Sequence, residues 1–88
     1  MTFQFDSKDN AWTAPDITLT GDAVLKLSLP SKGRLAIRKS NTGERFPIVL
    51  MSPWTGPDFY VRIHGETKGK IIRIQTTEMP VKAVLVNI

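Results

Sequence analysis

The chain has 88 residues, a formal net charge of +4 and no cysteine. This length is enough for one small domain, and the lack of cysteine excludes disulfides and thiolate metal sites. A small domain without such staples is typical of a protein that folds in the reducing cytoplasm or is stabilised by other chains. No apolar run reaches the ~20 residues of a membrane-spanning helix, and residues 1–9 lack the blocks of a signal peptide. We therefore expect synthesis in the cytoplasm and no insertion into a membrane.

The first part of the chain is acidic and irregular. Residues 1–22 contain four aspartates and one lysine, whereas the rest of the chain contains eleven lysines and arginines and four acidic residues. Phe3, Phe5 and Trp12 stand among polar residues of this first part and need a surface to cover them. Two interpretations stay open. Residues 1–16 form an edge strand and lid of the domain's own core, or an extended N-terminal arm that docks on a basic surface or a neighbouring subunit.

Apolar and polar residues alternate with a period of two along most of the chain, which is typical of half-buried β-strands. Turn sequences rich in glycine, proline and asparagine separate the runs, and no long window keeps a helical apolar stripe. The pattern predicts up to eight short strands, near residues 2–5, 17–20, 23–29, 34–39, 46–51, 59–64, 70–76 and 81–88. We predict a single all-β domain over the whole chain, a small antiparallel β-sandwich. A jelly roll and a small barrel of the oligonucleotide-binding (OB) type are the alternative arrangements.

The last predicted strand, 81–88, changes phase along its length. Ala83 and Leu85 belong to one alternating set of apolar residues, whereas Val84 and Val86 belong to the other. Such a pattern predicts either a strand that is buried on both faces or a strand with a bulge.

The chain contains no recognisable catalytic constellation. His64 is the only histidine, and it stands beside Gly65 rather than in a group with a nucleophile and a carboxylate. A single histidine without cysteine leaves no transition-metal site, and the acidic residues lie mostly in turns or in the N-terminal segment. We therefore predict that the protein is not an enzyme and holds no cofactor or metal, and that His64 is a surface or interface residue.

A basic face is the first feature suited to binding. If strands 59–64 and 70–76 form a hairpin with their apolar residues on one side, Arg62 and Arg73 lie opposite each other on the other side, beside Tyr60. Two arginines so placed require an anionic group between or above them. The other candidates for this face are Arg34, Arg38 and Lys26. An acidic protein surface and a single-stranded nucleic acid both fit such a face, although no motif of a nucleic-acid-binding family accompanies it.

The segment from Ser52 to Asp58 is predicted to be a loop, because it contains Pro53 and Pro57. Trp54 lies near its centre. Its side chain either covers the open end of the sandwich, or anchors a protein partner, or stacks on a sugar. The exposed edges of the sheets offer further contacts for pairing with another chain.

These features favour a non-enzymatic assembly protein. It would bind copies of itself or a larger protein lattice, as minor capsid, decoration and tail components of viruses do, with Phe3, Phe5, Trp12 and Trp54 at its interfaces. Such a protein is expected to be a homo-oligomer or lattice-bound, and associated with a virion. Two alternatives are a small nucleic-acid-binding β-barrel that uses the basic face, and a small inhibitor or adaptor of an acidic protein.

Overall fold

The regular structure consists of β-strands in the part of the chain that the computed structural model describes. This part comprises residues 1–29, 33–54, 58–63 and 69–87, without the side chains of Trp54 and Phe59. The strands are β1 (Gln4–Asp6), β2 (Ala11–Thr13), β3 (Ile17–Thr18), β4 (Ala23–Ser28), β5 (Gly33–Ser40), β6 (Ile48–Trp54), β7 (Asp58–Ile63), β8 (Ile71–Thr76) and β9 (Lys82–Asn87). Within these ranges there is no helix long and apolar enough to cross a membrane. The predicted all-β fold class is confirmed.

The strands form two antiparallel sheets, as in a small β-sandwich. Sheet A has six strands in the order β1-β2-β8-β5-β6, with β3 also pairing with β8. Sheet B has three strands in the order β7-β4-β9. The short strands β2 and β3 pair with successive parts of β8, at Gln75–Thr76 and at Ile71–Ile72. Each sheet turns one face to the common core and leaves the other face for solvent or a partner.

The hydrophobic core lies between the sheets because each long strand buries alternate residues. On β4 the buried positions are Ala23, Leu25 and Leu27, while the residues between them are half-buried or exposed. Both sheets contribute to one cluster, made of Phe3, Ala14, Leu19, Ala23, Leu25, Leu27, Leu29, Leu35, Ile37, Val61, Ile63, Ile72 and Ile74. Full burial of one such aliphatic side chain contributes about 1.5–3 kcal/mol relative to its exposure, so this cluster is the main source of stability.

The N-terminal segment forms part of sheet A. Strands β1 and β2 form a hairpin, in whose turn Asn10 adopts a left-handed φ of 53°. Phe3 is buried in the core, and Trp12 is half-buried against it. The residues proposed as an arm therefore lie along the edge of the domain's own sheet. Strand β2 went unpredicted because its three residues are too few to show alternation.

The predicted hairpin between residues 59–64 and 70–76 is wrong. Strand β7 lies in sheet B beside β4, whereas β8 lies inside sheet A between β5 and the N-terminal strands. Arg62 consequently does not face Arg73, whose cross-strand neighbour on β5 is Arg38. The alternating pattern shows which residues of a strand are buried, but two strands can bury their apolar residues in one core from opposite sheets. Here they do so.

Two further local predictions are corrected. Strand β6 continues through Pro53 to Trp54, so the first three of the seven residues of the predicted loop are strand. In the described chain β6 pairs only with β5, and an edge strand tolerates proline. Strand β9 pairs with β4 without a shift of register, and Val84 and Val86 are 39% and 42% exposed. Over residues 82–87 the last strand is therefore neither bulged nor buried on both faces.

Candidate interaction surface

On the sheet A face, which carries Arg38, Arg73 and Gln75 on the side away from the core, the charge of Arg73 is neutralised by the chain itself. The Nε and Nη2 atoms of Arg73 donate hydrogen bonds to the two carboxylate oxygens of Asp16, at 2.9 and 3.0 Å. The same guanidinium lies 4.0 Å from the ring centroid of Phe46, a cation–π geometry. This explains how two arginines can lie opposite each other on neighbouring strands, because Arg73 has an anionic partner above it.

Gln75 links the second arginine to the N-terminal segment. Its side-chain oxygen accepts a hydrogen bond from Nε of Arg38 at 2.8 Å, and its amide nitrogen donates to Asp9 at 2.8 Å and to Thr13 at 3.2 Å. Gln75 is only 3% exposed, so these bonds satisfy a buried polar group. Arg38 also donates to the main-chain oxygen of Phe46 at 3.1 Å. The acidic N-terminal segment thus docks on its own domain, through Asp16 on Arg73 and through Asp9 on Gln75.

The electrostatics of the sheet A face favour the charged form of Arg73. Its hydrogen bond to Asp16 raises the pKa of Arg73 above the ordinary value; burial opposes this, and the charges of Asp16, Asp9 and Asp6 add to the rise. Because the pKa of Arg73 is higher in the folded state than in the unfolded state, its charged form contributes to stability. This contribution is complete below the unfolded-state pKa of Arg73 and is lost only as the pH rises through its folded-state pKa. For an arginine that window lies at strongly alkaline pH, so the contact persists throughout the neutral range.

The outer face of sheet B is built differently. Alternate residues of β7, β4 and β9 form three rows across the sheet, and we call these nine residues the sheet B face. The rows are Arg62–Val24–Val86, Tyr60–Lys26–Val84 and Asp58–Ser28–Lys82. They form this pattern because β4 pairs in continuous register with both of its neighbours, which aligns outward positions on all three strands.

The sheet B face combines exposed apolar side chains with cations that have no acidic partner among the described residues. Tyr60 is 66% exposed, and two valines of β9 are about two-fifths exposed. Lys26, Arg62 and Lys82 are exposed, and the one ion pair found in the described ranges lies on the other sheet. The only acidic residue on the face is Asp58, whose Oδ1 accepts a hydrogen bond from the hydroxyl of Ser28 at 2.7 Å. The surface is thus amphipathic and basic.

The remaining predicted site residues are spread over the molecule. Phe5 is 52% exposed and packs edge-on against Trp12, with ring centroids 5.6 Å apart. Arg34 is exposed at the start of β5 in sheet A. The side chain of Trp54 and the whole of His64 lie outside the described residues. Within the described ranges, no group of three histidine, cysteine or acidic residues is placed to hold a metal ion.

The structure therefore keeps only part of the predicted basic face together. Tyr60 and Arg62 share the sheet B face, whereas Arg34, Arg38 and Arg73 belong to sheet A. Sequence reasoning missed the valines of the sheet B face, because exposed and buried valines look alike in an alternating run. The phase change in the last strand was the available signal, since it shows that one apolar set of β9 must face outward.

Comparisons of the chain with models of protein families, with curated proteins and with solved structures find no match. The physical properties of the two outer faces are consequently the basis on which we infer function.

Proposed function

We propose that the chain is a non-enzymatic assembly protein that binds copies of itself or a larger protein lattice through the sheet B face. One observation carries the proposal. On this face Tyr60 and the valines of β9 are exposed beside cations that have no acidic partner in the described part of the chain. On the opposite face Arg38 and Arg73 are already bonded within the domain. Binding energy therefore remains to be gained on the sheet B face.

The composition of the sheet B face suits a protein partner. Tyrosine and arginine are among the residue types most enriched at energetically important interface positions, and Tyr60 lies at the middle of β7 with Arg62 two residues away. The valines of β9 supply apolar area that excludes water, while Lys26 and Lys82 favour an acidic surface opposite them. A minor capsid, decoration or tail component of a virus is the kind of assembly protein that we propose, by analogy with other small β-domains.

The solution mass of the purified protein tests this proposal. Light scattering coupled to size-exclusion chromatography, over a wide range of concentration, is expected to show an oligomer. The Tyr60→Ser variant should weaken the association about tenfold or more, because it truncates an exposed anchor. Met51→Ser is the matched control, since Met51 is a large apolar side chain on sheet A that is also more than half exposed. A wild-type protein that stays monomeric at every concentration would contradict self-assembly.

A second candidate function is binding of single-stranded nucleic acid. The observation that favours it is the placement of Tyr60 directly opposite Lys26, with Arg62 on the same face, which offers a ring for base stacking between cations. Binding should be detectable at low salt and should fall as salt rises, and Arg62→Ala should lower the slope of log affinity against log salt by about 0.7. Arg73→Ala is the control, because Arg73 is already paired with Asp16. Absence of binding at low salt would remove this candidate.

A further inference from the structure

We infer that β7 pairs in antiparallel fashion with the β7 strand of a second copy, about a two-fold axis that passes beside Tyr60. The inference rests on the proposed function, whose self-assembly it makes specific. It joins two copies of sheet B into one sheet of six strands, with the two sheet B faces on the same side. Such an interface uses the main chain for affinity and the outward side chains for register.

Strand β7 is suited to pairing because it is a regular edge. In the described part of the chain it pairs only with β4, along all six residues from Asp58 to Ile63 and without a shift of register. The strand contains no proline. The edge strand β6 of sheet A differs, since it contains Pro53 and has a register shift opposite Ile37 and Arg38. Prolines and bulges are two of the devices by which edges avoid pairing, and β7 has neither.

The charges on β7 are arranged symmetrically about Tyr60. The outward residues are Asp58, Tyr60 and Arg62, so a two-fold axis at Tyr60 places each aspartate opposite the arginine of the other copy. Directly opposed side chains on antiparallel strands have Cβ atoms about 4.5–5.5 Å apart, close enough for both ion pairs to form. The two tyrosines meet at the centre. The strand is therefore complementary to itself in charge.

The same charges disfavour other alignments. A shift by one residue sets outward side chains against inward ones, which the buried core forbids. A shift by two residues replaces both ion pairs with contacts between tyrosine and a charged residue. A shift by four residues opposes Arg62 to itself or Asp58 to itself, and parallel pairing brings like residues together. Strand β9, the other edge of sheet B, has Lys82 as its only charged residue and so has no opposite-charge pair to fix a register.

Charge reversal tests the pairing. Asp58→Arg and Arg62→Asp should each weaken self-association by about tenfold, because two attractive pairs become two repulsive ones. The double variant, which exchanges the two charges, should recover wild-type association to within about threefold. An equimolar mixture of the single variants should form heterodimers, since their β7 strands then carry opposite charges. Native mass spectrometry distinguishes the heterodimer from either homodimer.

Two control variants separate the interface from local effects. Asp58→Asn keeps an acceptor for the Ser28 hydroxyl but removes the charge, so it should weaken association less than the reversal does. Lys82→Glu reverses a charge on β9, about 14 Å from the second copy at ~4.8 Å per strand. That distance exceeds the ~10 Å screening length at 0.1 M salt, so this variant should associate like the wild type. Thermal unfolding of each variant verifies that it is folded.

The outcomes separate the failure of this inference from that of the proposed function. A wild-type oligomer that ignores both single reversals overturns the β7 pairing but leaves the assembly function standing. An oligomer that ignores them and is disrupted by Val84→Lys associates through the exposed valines of β9 instead of the β7 edge, which also overturns the pairing. A wild-type monomer at every concentration overturns the pairing together with self-assembly. Weakening by each reversal, with recovery in the double variant, supports it.

Discussion

The two outer faces of this small domain use similar residues for opposite purposes. On the sheet A face, Arg73 is held by both oxygens of Asp16 and by the ring of Phe46. On the sheet B face, Arg62 and Lys26 are exposed without an acidic partner in the ranges described. The comparison shows that a basic residue on a strand is no guide to a binding site until its neighbours are known. The acidic N-terminal segment bonds to Arg73 and Gln75 on the first face, whereas the cations of the second face have no such acidic partner among the described residues.

The largest expected effect concerns the core that supports both faces. Leu25 is fully buried at the centre of β4, and Leu25→Ala should lower the free energy of unfolding by about 2–5 kcal/mol, because it leaves a cavity. Val24 precedes Leu25 on the same strand but points to the sheet B face, so Val24→Ala should cost about 1 kcal/mol or less. Urea denaturation measures both. Equal losses would mean that the outward face of β4 is packed as tightly as the inward face.

The next effect concerns the buried amide that joins sheet A to the N-terminal hairpin. Gln75→Ala removes the partners of Arg38, Asp9 and Thr13 together, and should cost about 1–3 kcal/mol, as expected when buried polar groups lose their bonds. Gln4→Ala is a matched control on an exposed position of β1 and should change stability by less than about 0.5 kcal/mol. Denaturation midpoints of the two variants give the comparison. Similar midpoints would contradict a stabilising role for the sheet A network.

A smaller effect is expected from the ion pair on the same face. Asp16→Ala should cost about 1 kcal/mol, since the pair is partly exposed and screened, and the cost should shrink at high salt. Because the pKa of Arg73 is raised, the coupling between Asp16 and Arg73 should stay constant as the pH rises from about 7 to 10. A double-mutant cycle with Arg73→Ala, measured at both pH values, tests this. Coupling that disappears at pH 10 would contradict it.

The sequence was a good guide to which residues are buried. Alternation along 23–29, 34–39 and 70–76 correctly identified strands whose inward residues form the core. Alternation identifies buried residues because successive side chains of a strand point to opposite faces, and each strand needs one apolar face. This pattern is visible within a few residues of sequence. The order of strands depends on contacts between distant residues, which one sequence does not encode in any local pattern. That is why β7 and β8 were expected in one hairpin but lie in different sheets.

The candidate site was predictable only in part for the same reason. Tyr60 and Arg62 were expected on one outward face, and their alternation on a single strand is sufficient for that. Whether a given arginine is neutralised depends on which acidic segment folds over it. Asp16 is far from Arg73 in the chain and meets it only because β3 and β8 are paired. The N-terminal segment also looked suited to an arm because its strands are short and its aromatic residues irregularly spaced.

The smallest effect on stability is expected at Arg62, a residue that we propose to lie at the interface. Arg62→Ala should leave the free energy of unfolding within about 0.5 kcal/mol of the wild type, because the side chain is exposed and makes no ion pair with a described residue. The same variant should weaken self-association, since one of the two charges of β7 is removed. Arg73→Ala should do the reverse, lowering stability while leaving association intact. Unfolding and light-scattering measurements on both variants test the contrast between the faces directly. If Arg62→Ala instead destabilises the domain as much as Arg73→Ala does, Arg62 stabilises the fold. That outcome would contradict our assignment of the sheet B face as the binding surface.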